Sequence, residues 1–388
     1  MSKGIAILST HSGIAYAKRI YDALKLVVEH KQREAEQYGA PPIFPFHYIE
    51  PGFKRFSDGE MHHRRAETIN ERDVYIIAPL RTPQTYPDRR DHGLHDNLMD
   101  LYFLIRHALD GSAGKIRVIV PYFPYARSDR KDRSRASIKA ADLVSLLRGA
   151  FEGKEGRIIT SELHSPTIQG IFGPVVRCDH MHYGAVWRAL IRRIPGYQED
   201  PFSVTIIDPD YGAKKRNVEI LGEDFLVNHV TMDKGNRAAD GTLDAKKLQV
   251  HGTPTRFAVF LDDMIDTAGT VEQGVRKVLA LGAENIFILA AHAILSDPAR
   301  ERLQKLYDEC GARTITTDSI PHPEIPFLYQ IPMDWFWAET IYRLHVGNSV
   351  STVLDELPRR KNLNEIRPNF LPDPVTLLGP NAPIRKIA

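Results

Sequence analysis

The chain has 388 residues, of which 43% are hydrophobic and 26% charged, values typical of a folded globular protein with room for two domains. Its formal net charge of +2 is too small to indicate nucleic-acid or membrane binding by itself. Three features together predict a cytoplasmic protein: only two cysteines without metal-type spacing (Cys178 and Cys310), no signal-peptide core after Met1, and no apolar run of bilayer length.

Strand-like and helix-like segments alternate along the chain. In the first half, apolar runs predict strands at 4–9, 74–78, 116–120 and 157–161, and apolar spacing predicts helices at 12–28, 96–109 and 140–151. In the second half, the predicted strands are 204–207, 257–261, 286–290, 314–316 and 327–331, and the predicted helices are 271–280, 298–307 and 338–357. This alternation predicts an α/β fold with mainly parallel sheets flanked by helices.

Three polar segments interrupt this pattern. Residues 55–60 form a turn-rich stretch with one aromatic residue, and residues 122–136 are the most basic and aromatic part of the chain. The second segment follows a predicted strand and suits a polyanionic ligand, although a charge run is also typical of a solvated loop. Residues 232–246 have no periodicity and are rich in Gly, Ala and Asp, which predicts a mobile loop.

The most informative segment is the central motif, residues 257–271. The apolar run 257–261 predicts a buried strand, and it is followed by Asp262, Asp263 and the segment Asp266-Thr267-Ala268-Gly269-Thr270. A loop at the carboxyl end of such a strand faces the usual ligand crevice, and N–H groups at the next helix start attract phosphate. The motif therefore predicts a site for a phosphorylated sugar, with the two acids facing sugar hydroxyls or a metal. A simple helix N-cap is the alternative.

This motif resembles the phosphoribosyl-pyrophosphate motif of the type I phosphoribosyltransferase fold. With the other polar segments, the chain resembles the ribose-phosphate pyrophosphokinase family over roughly residues 4–356. The stretches that carry the resemblance are 55–60 (RFSDGE), 96–99 (DNLM), 120–131 (VPYFPYARSDRK), 163–164 (LH) with 168–172 (IQGIF), 209–210 (PD) with Gly212, and the central motif.

The resemblance implies two tandem domains of phosphoribosyltransferase type. Residues 1–180, joined by the helix at about 338–357, would form the ATP side, and residues 181–337 would form the sugar-phosphate side. Residues 358–388 would be a proline-rich extension, irregular or disordered.

The resemblance also implies a role for individual residues. ATP would meet Phe56, Asp58, Glu60, Arg127, Ser128 and Asp129, and the sugar phosphate would meet Asp262, Asp263, Asp266, Thr267, Ala268, Gly269 and Thr270. His164 and Asp210 match positions associated with Mg²⁺, and Lys234 and Arg237 match the catalytic pair of the mobile loop. For His164, the alternative is a core or capping histidine.

The implied reaction moves the β,γ-diphosphoryl group of ATP to the anomeric hydroxyl of ribose 5-phosphate, giving phosphoribosyl pyrophosphate and AMP. Such chemistry depends on positioning and electrostatics, which suits arginine, lysine and Mg²⁺. A homo-oligomer built from dimers is a further implication, with no nucleic-acid or membrane partner expected.

Three departures from the family pattern leave other functions open: Ser128 replaces the usual glutamine, Glu162 the usual aspartate, and Lys234 and Arg237 are spaced more widely than usual. Together with extra residues near 29–47 and 82–94, they make a larger acceptor such as ADP-ribose one alternative. A non-catalytic regulatory paralogue is another, although the retained His164, Asp210 and Lys234 argue against it. A phosphoribosyltransferase that consumes the product would not need the Phe56 or Arg127 segments.

Overall fold

The computed structural model of the protein describes residues 3–36, 44–65, 67–81, 93–131, 134–233, 248–350 and Val353. Within this part of the chain, two compact units can be distinguished. Unit 1 contains the residues up to Met181 and the later segment Met333–Val353, and unit 2 contains His182–Pro332.

Unit 1 is built on a six-stranded sheet in which all neighbouring strands are parallel. Its strand order is β2-β1-β5-β6-β7-β8. The bounds are β1 Ile5–Ser9, β2 Phe46–Tyr48, β5 Asp73–Ile77, β6 Lys115–Val120, β7 Gly156–Ser161 and β8 Val176–Met181. Every residue of β1 and β5 is buried, as expected for parallel strands covered on both faces.

A separate two-stranded sheet lies in the same unit. Its strands, β3 (Pro51–Arg55) and β4 (Met61–Arg65), are antiparallel, with Arg55 opposite Met61. We call this element the hairpin; the turn-rich segment 55–60 lies at its tip. Neither strand was predicted from the sequence, because their residues, PGFKR and MHHRR, lack apolar alternation.

In the part of unit 1 that the structure describes, the α-helices are α1 Ile14–Glu36, α2 Leu94–Asp110, α3 Lys139–Ala150, α4 Ile168–Phe172 and, later in the chain, α9 Asp334–Val346. The prediction of a helix over 338–357 was wrong at both ends. Helix α9 begins four residues earlier and ends at Val346, because Gly347 adopts the left-handed conformation with a φ of 82° and terminates the helix.

Polar side chains connect α9 to the sheet of unit 1. Asp73, at the start of β5, accepts hydrogen bonds from Arg117 Nη1 and His345 Nδ1, each at 3.0 Å. Arg117 also donates to the backbone oxygen of Leu344 at 3.3 Å, and the Tyr75 hydroxyl donates to that of Ile341 at 3.2 Å. Residues near the end of the chain therefore complete the core of unit 1.

Unit 2 is built on a seven-stranded sheet with the order β11-β10-β9-β12-β13-β14-β15. Neighbouring strands are parallel except β10 and β11. The strands are β9 Val204–Asp208, β10 Asn228–Asp233, β11 Gln249–His251, β12 Phe257–Ile265, β13 Asn285–Ala293, β14 Arg313–Thr317 and β15 Leu328–Ile331. Its helices are α5 Gly184–Ile191, α6 Tyr211–Leu221, α7 Gly269–Ala280 and α8 Ala299–Cys310.

The central strand β12 is longer than predicted. It continues four residues past Leu261, so Asp262 and Asp263 lie in the strand rather than in the loop. Asp262 pairs with Ala290 and Ile265 with Ala293, because the neighbouring β13 is equally long. Helix α7 begins at Gly269, two residues before its predicted start, which shortens the loop to Asp266–Ala268.

The predicted α/β architecture with mainly parallel sheets flanked by helices is confirmed. The predicted loop at 232–246 begins with the end of β10, and its remaining residues, like the segment 82–92 and the tail from 354, lie outside the described residues. Among the helices that the structure describes, none combines the length and apolarity needed to cross a bilayer.

Candidate active site

The tip of the hairpin in unit 1 presents three of the predicted ATP-binding residues to solvent. Phe56 is 41% exposed, and Asp58 and Glu60 are also exposed. The turn is closed by hydrogen bonds from the Phe56 N–H to the Glu60 oxygen (2.9 Å) and from the Gly59 N–H to the Phe56 oxygen (3.0 Å). Gly59 has a φ of +95°, which a side chain would strain. The result is an ordered turn that carries an exposed ring and two exposed carboxylates.

One face of the hairpin adds positive charge beside this ring. The Lys54 ammonium lies 4.9 Å from the centre of the Phe56 ring, and the His62 ring lies 6.1 Å from it. Lys54 and His62 are directly paired across the two strands. An aromatic surface with a cation above it can stack against a nucleobase. Neither residue was identified from the sequence, because the strands themselves were not predicted.

The basic segment of unit 1 forms the connection between β6 and α3. Arg127 is exposed, and Ser128 and Asp129 are partly exposed. The Ser128 N–H donates to the Tyr125 oxygen at 2.9 Å, and the Ser128 oxygen accepts the N–H of Ala140 at 3.1 Å. These bonds fix the loop against the start of α3. Ser128, which departs from the family pattern, thus has a structural role through its backbone.

The two predicted metal-associated residues both lie just past strand ends. His164 follows β7 in unit 1 and is exposed, which argues against the alternative of a core histidine. The residue before it, Leu163, donates its N–H to His180 Nε2 at 2.8 Å, so this bond orders the turn that carries His164. Asp210 follows β9 in unit 2 and caps α6, accepting the N–H of Ala213 on Oδ1 at 2.8 Å. Each residue alone could supply one ligand to a divalent cation whose other ligands are oxygens.

The central motif forms a tight connection from β12 to α7 in unit 2. Thr267 is exposed, while Asp266, Gly269 and Thr270 are partly exposed. Ala268 takes the N-cap position in the left-handed conformation, with a φ of 58°. Because an alanine side chain cannot accept a hydrogen bond, the first N–H groups of α7 lack the usual side-chain cap. The predicted N-cap alternative therefore does not describe this helix start, whose N–H groups suit an anion.

Arg302 of α8 stabilises the connection from β12 to α7 through a hydrogen bond and an ion pair. Its Nη1 donates to the backbone oxygen of Thr267 at 2.9 Å, and its Nε lies 3.3 Å from the Glu272 carboxylate. A Cβ added to Gly269 would come within 3.0 Å of Arg302 Nη1, so the glycine allows this close approach. Arg302 was missed by the sequence analysis, since it lies 35 residues from Thr267 and carries no motif.

The two acids of β12 share one arginine partner. Arg216, from α6, forms an ion pair with Asp262 and another with Asp263 at 3.0 Å. Burial raises the pKa of the Asp262 carboxyl, the neighbouring Asp263 carboxylate raises it further, and the Arg216 guanidinium opposes both effects. Arg216 therefore helps to hold two adjacent negative charges at the edge of the sheet. It ends the basic run Lys214-Lys215-Arg216 that follows Asp210, and no role was predicted for it from the sequence.

In unit 2, the structure brings the segments that carry the predicted residues to the same edge of the sheet. In unit 2, β9 and β12 are neighbouring parallel strands, so the segments that follow Asp208 and Ile265 leave the same edge of the sheet. The ion pairs of Arg216, six residues after Asp210, tie these two segments together. The predicted catalytic residues Lys234 and Arg237 lie outside the described residues.

Comparison with known proteins identifies the same family as the motifs. Residues 5–150 match the N-terminal domain of ribose phosphate pyrophosphokinase, and residues 245–355 match the phosphoribosyl synthetase-associated domain. The chain is 34% identical over 304 residues to a ribose-phosphate pyrophosphokinase of Synechocystis sp., a match that covers 77% of this chain and 84% of the relative.

Two further relatives agree with this result. A ribose-phosphate pyrophosphokinase of Fusobacterium nucleatum is 32% identical, over 78% of this chain and 89% of the relative. The crystal structure of phosphoribosylpyrophosphate synthetase from Mycobacterium smegmatis superimposes with a TM-score of 0.69 at 25% identity, covering 89% of this chain and all of that one. The chain therefore belongs to the ribose-phosphate pyrophosphokinase family.

Proposed function

We propose that this chain is an ATP-dependent ribose-phosphate diphosphokinase, which converts ribose 5-phosphate and ATP to phosphoribosyl pyrophosphate and AMP. The observation that carries the proposal is the connection from β12 to α7 in a chain of this family. There, two acids near a strand end are followed by a helix start whose N-cap residue, Ala268, makes no side-chain cap hydrogen bond. This arrangement suits a sugar that carries both hydroxyl groups and a phosphate.

In the proposed reaction, the anomeric oxygen of ribose 5-phosphate attacks the β-phosphorus of ATP. The bond between the β-phosphorus and the oxygen of the α-phosphate breaks, and AMP leaves with the electron pair on that oxygen. The proton of the anomeric hydroxyl passes to solvent water as the new bond forms. No covalent intermediate with the protein is needed, so the protein contributes binding, orientation and positive charge.

We assign the sugar phosphate to unit 2. The phosphate would meet the N–H groups at the start of α7 and the hydroxyls of Thr267 and Thr270, with Ala268 and Gly269 providing close backbone approach. Asp262, Asp263 and Asp266 would face the ribose hydroxyls. Arg216 supports this role because it offsets the mutual repulsion of Asp262 and Asp263.

We assign the nucleotide to unit 1. The exposed Phe56 ring would stack on adenine while Asp58 and Glu60 accept hydrogen bonds, and Arg127, supported by Ser128 and Asp129, would meet the phosphates. Lys234 and Arg237 would contribute charge to the transferring group. The division into an ATP side at 1–180 and a sugar side at 181–337 stays a prediction, as does a homo-oligomer in the cytoplasm.

Mg²⁺ is the cofactor that this chemistry calls for. When bound, it would neutralise charge on the phosphate oxygens of ATP. Asp210 provides a carboxylate and His164 an exposed imidazole, and both follow strand ends, where ligands of α/β proteins bind. Each of these donors, taken separately within its own unit, could supply one ligand to a cation that keeps several water and phosphate oxygens.

The alternative functions are not favoured by the relatives. Those described above are named ribose-phosphate pyrophosphokinase or phosphoribosylpyrophosphate synthetase, which supports neither ADP-ribose as acceptor nor a purely regulatory role. A phosphoribosyltransferase that consumes phosphoribosyl pyrophosphate is likewise not favoured.

The assay is AMP release by the purified protein with ATP, Mg²⁺ and one acceptor at a time. The proposal expects release with ribose 5-phosphate and only background release with ADP-ribose or without Mg²⁺. Release with ADP-ribose alone would establish the larger acceptor instead. No release with any acceptor would support the regulatory paralogue and refute the proposal.

A further inference from the structure

The hairpin of unit 1 needs support from outside its own two strands. β3 and β4 form a sheet of their own, separate from the six-stranded sheet. A two-stranded hairpin is marginally stable in water unless it packs against another element. The position of the turn at its tip, residues 56–60, therefore depends on the side chains that connect the strands to the rest of unit 1.

The strongest connection is a buried histidine-carboxylate pair between the hairpin and α2. His63 of β4 lies with its Nε2 2.6 Å from Asp100 Oδ1, and the two side chains are only 7% and 3% exposed. Asp100 Oδ2 accepts the backbone N–H of His11 at 2.7 Å. One carboxylate thus bonds to both the hairpin and the segment that follows β1.

Ring packing surrounds this pair. The His11 ring stacks on the Phe53 ring of β3 with 4.6 Å between centroids, and the Phe53 ring meets the His63 ring edge-on at 5.7 Å. The same cluster of side chains therefore holds both strands of the hairpin. A second and more exposed pair, Arg55 with Asp96 at 3.3 Å, lies one turn earlier on the same face of α2.

We propose that Asp100, acting through His63, is a positioning residue for the nucleotide-binding turn. This inference rests on the proposed assignment of Phe56, Asp58 and Glu60 to ATP. His63 lies in β4, three residues beyond Glu60, which immediately precedes that strand, so the bond to Asp100 fixes where the turn is presented. Without that bond, only a fraction of the molecules holds the turn in the binding position. The apparent Kd for ATP then equals the intrinsic Kd divided by that fraction.

The test compares His63→Leu, His63→Gln and Asp100→Asn with wild type. Leucine removes the Nε2 donor, whereas the glutamine amide nitrogen can reach a similar position and donate to Asp100. Asparagine has the same size as Asp100 but only one acceptor oxygen. Two donors, His63 Nε2 and the backbone N–H of His11, bond to this side chain in the wild type. Asp73→Asn is the matched control, because Asp73 is also a buried aspartate bonded to a histidine, but at the start of β5.

Three quantities are measured for each variant: amide hydrogen exchange of residues 51–65, binding of the α,β-methylene analogue of ATP, and the KM values with kcat. For His63→Leu and Asp100→Asn, exchange in the hairpin accelerates. The KM for ATP and the Kd of the analogue rise about tenfold, equal to ~1.4 kcal/mol. The kcat and the KM for ribose 5-phosphate stay within about twofold. His63→Gln restores most of the affinity, and Asp73→Asn leaves both ATP constants unchanged.

The possible failures can be told apart. Unchanged exchange in residues 51–65 of both His63→Leu and Asp100→Asn would overturn the positioning role and leave the proposed function intact. Faster exchange with unchanged analogue binding would show that ATP does not bind at the hairpin, and it would overturn the inference. A wild type that binds the analogue but releases no AMP would refute the proposed function alone, while the analogue data still decide the inference.

Discussion

Replacing Asp73 by asparagine is expected to remove acid-sensitive stability from unit 1. The Asp73 side chain is 3% exposed and bonds to Arg117 and His345, the second of which belongs to α9. Burial by itself raises the pKa of this carboxyl. The hydrogen bonds and charges of His345 and Arg117 outweigh burial and lower the pKa from its ordinary value of 3.8 to about 2.

The size and direction of the effect follow from this lowered pKa. The difference between 3.8 and about 2 corresponds to about 2 kcal/mol of folding free energy, at ~1.36 kcal/mol per pH unit. Because the pKa of Asp73 is lower in the folded state than in the unfolded state, its carboxylate contributes its full stabilisation at pH values well above the unfolded pKa of 3.8. The contribution is then lost as the pH falls toward the folded value, with about 1 kcal/mol gone at pH 3. Asparagine does not titrate and has no such contribution to lose.

Urea unfolding of wild type and Asp73→Asn between pH 7 and pH 3 measures this contribution. The free energies of unfolding are expected to differ by about 2 kcal/mol or more at pH 7, since the substitution also leaves Arg117 and His345 without their charge partner. The difference should stay constant down to about pH 5 and then narrow. Asp179→Asn is a control, because its pair with Arg157 is more exposed and is worth at most ~1 kcal/mol. A difference that widens with acid, or is absent at pH 7, would refute the charge-pair argument.

Three predictions concern the proposed site. Lys234→Ala should lower kcat by orders of magnitude with an unchanged melting temperature, because it removes charge that stabilises the transition state; an unchanged kcat would refute its catalytic role. Asp263→Ala should raise the KM for ribose 5-phosphate, and a change in the KM for ATP alone would contradict the sugar-site assignment. Arg216→Gln removes the charge that opposes the raised pKa of Asp262, so the acidic limb of kcat/KM for ribose 5-phosphate should move to higher pH. An unmoved or lower limb would show that ionised Asp262 is not required.

The sequence predicted the strands that are continuous apolar runs, such as β1, β5 and β13, because buried parallel strands have this pattern. It did not predict β2, β8, β10 and β11, which are short or contain polar residues such as Asp179 and His229. It misplaced the end of β12, since acids are uncommon within strands. Asp262 and Asp263 extend that strand because Arg216 compensates their charge and β13 continues beside them. Such compensation comes from a residue 46 positions away and cannot be recognised locally.

Helix α9 and the hairpin show two other limits of prediction. Helix α9 is buried around its whole first half, from Asp334 to Ile341, so it has no amphipathic period that marks its start. The hairpin has little apolar character, and it is held by bonds from Arg55 and His63 to α2, 41 and 37 residues away. Phe56 was proposed from the sequence through family likeness, whereas Thr267 was proposed first from its place between an apolar strand run and a helix start.

The fate of the β-phosphorus of ATP distinguishes diphosphoryl transfer to the sugar from single phosphoryl transfer and from hydrolysis. ATP labelled at the β-phosphorus is incubated with the protein, Mg²⁺ and ribose 5-phosphate, and the products are separated. For diphosphoryl transfer, the label is expected in phosphoribosyl pyrophosphate, in equal amount to unlabelled AMP. Label in ADP or inorganic phosphate, with the sugar unlabelled, would contradict it.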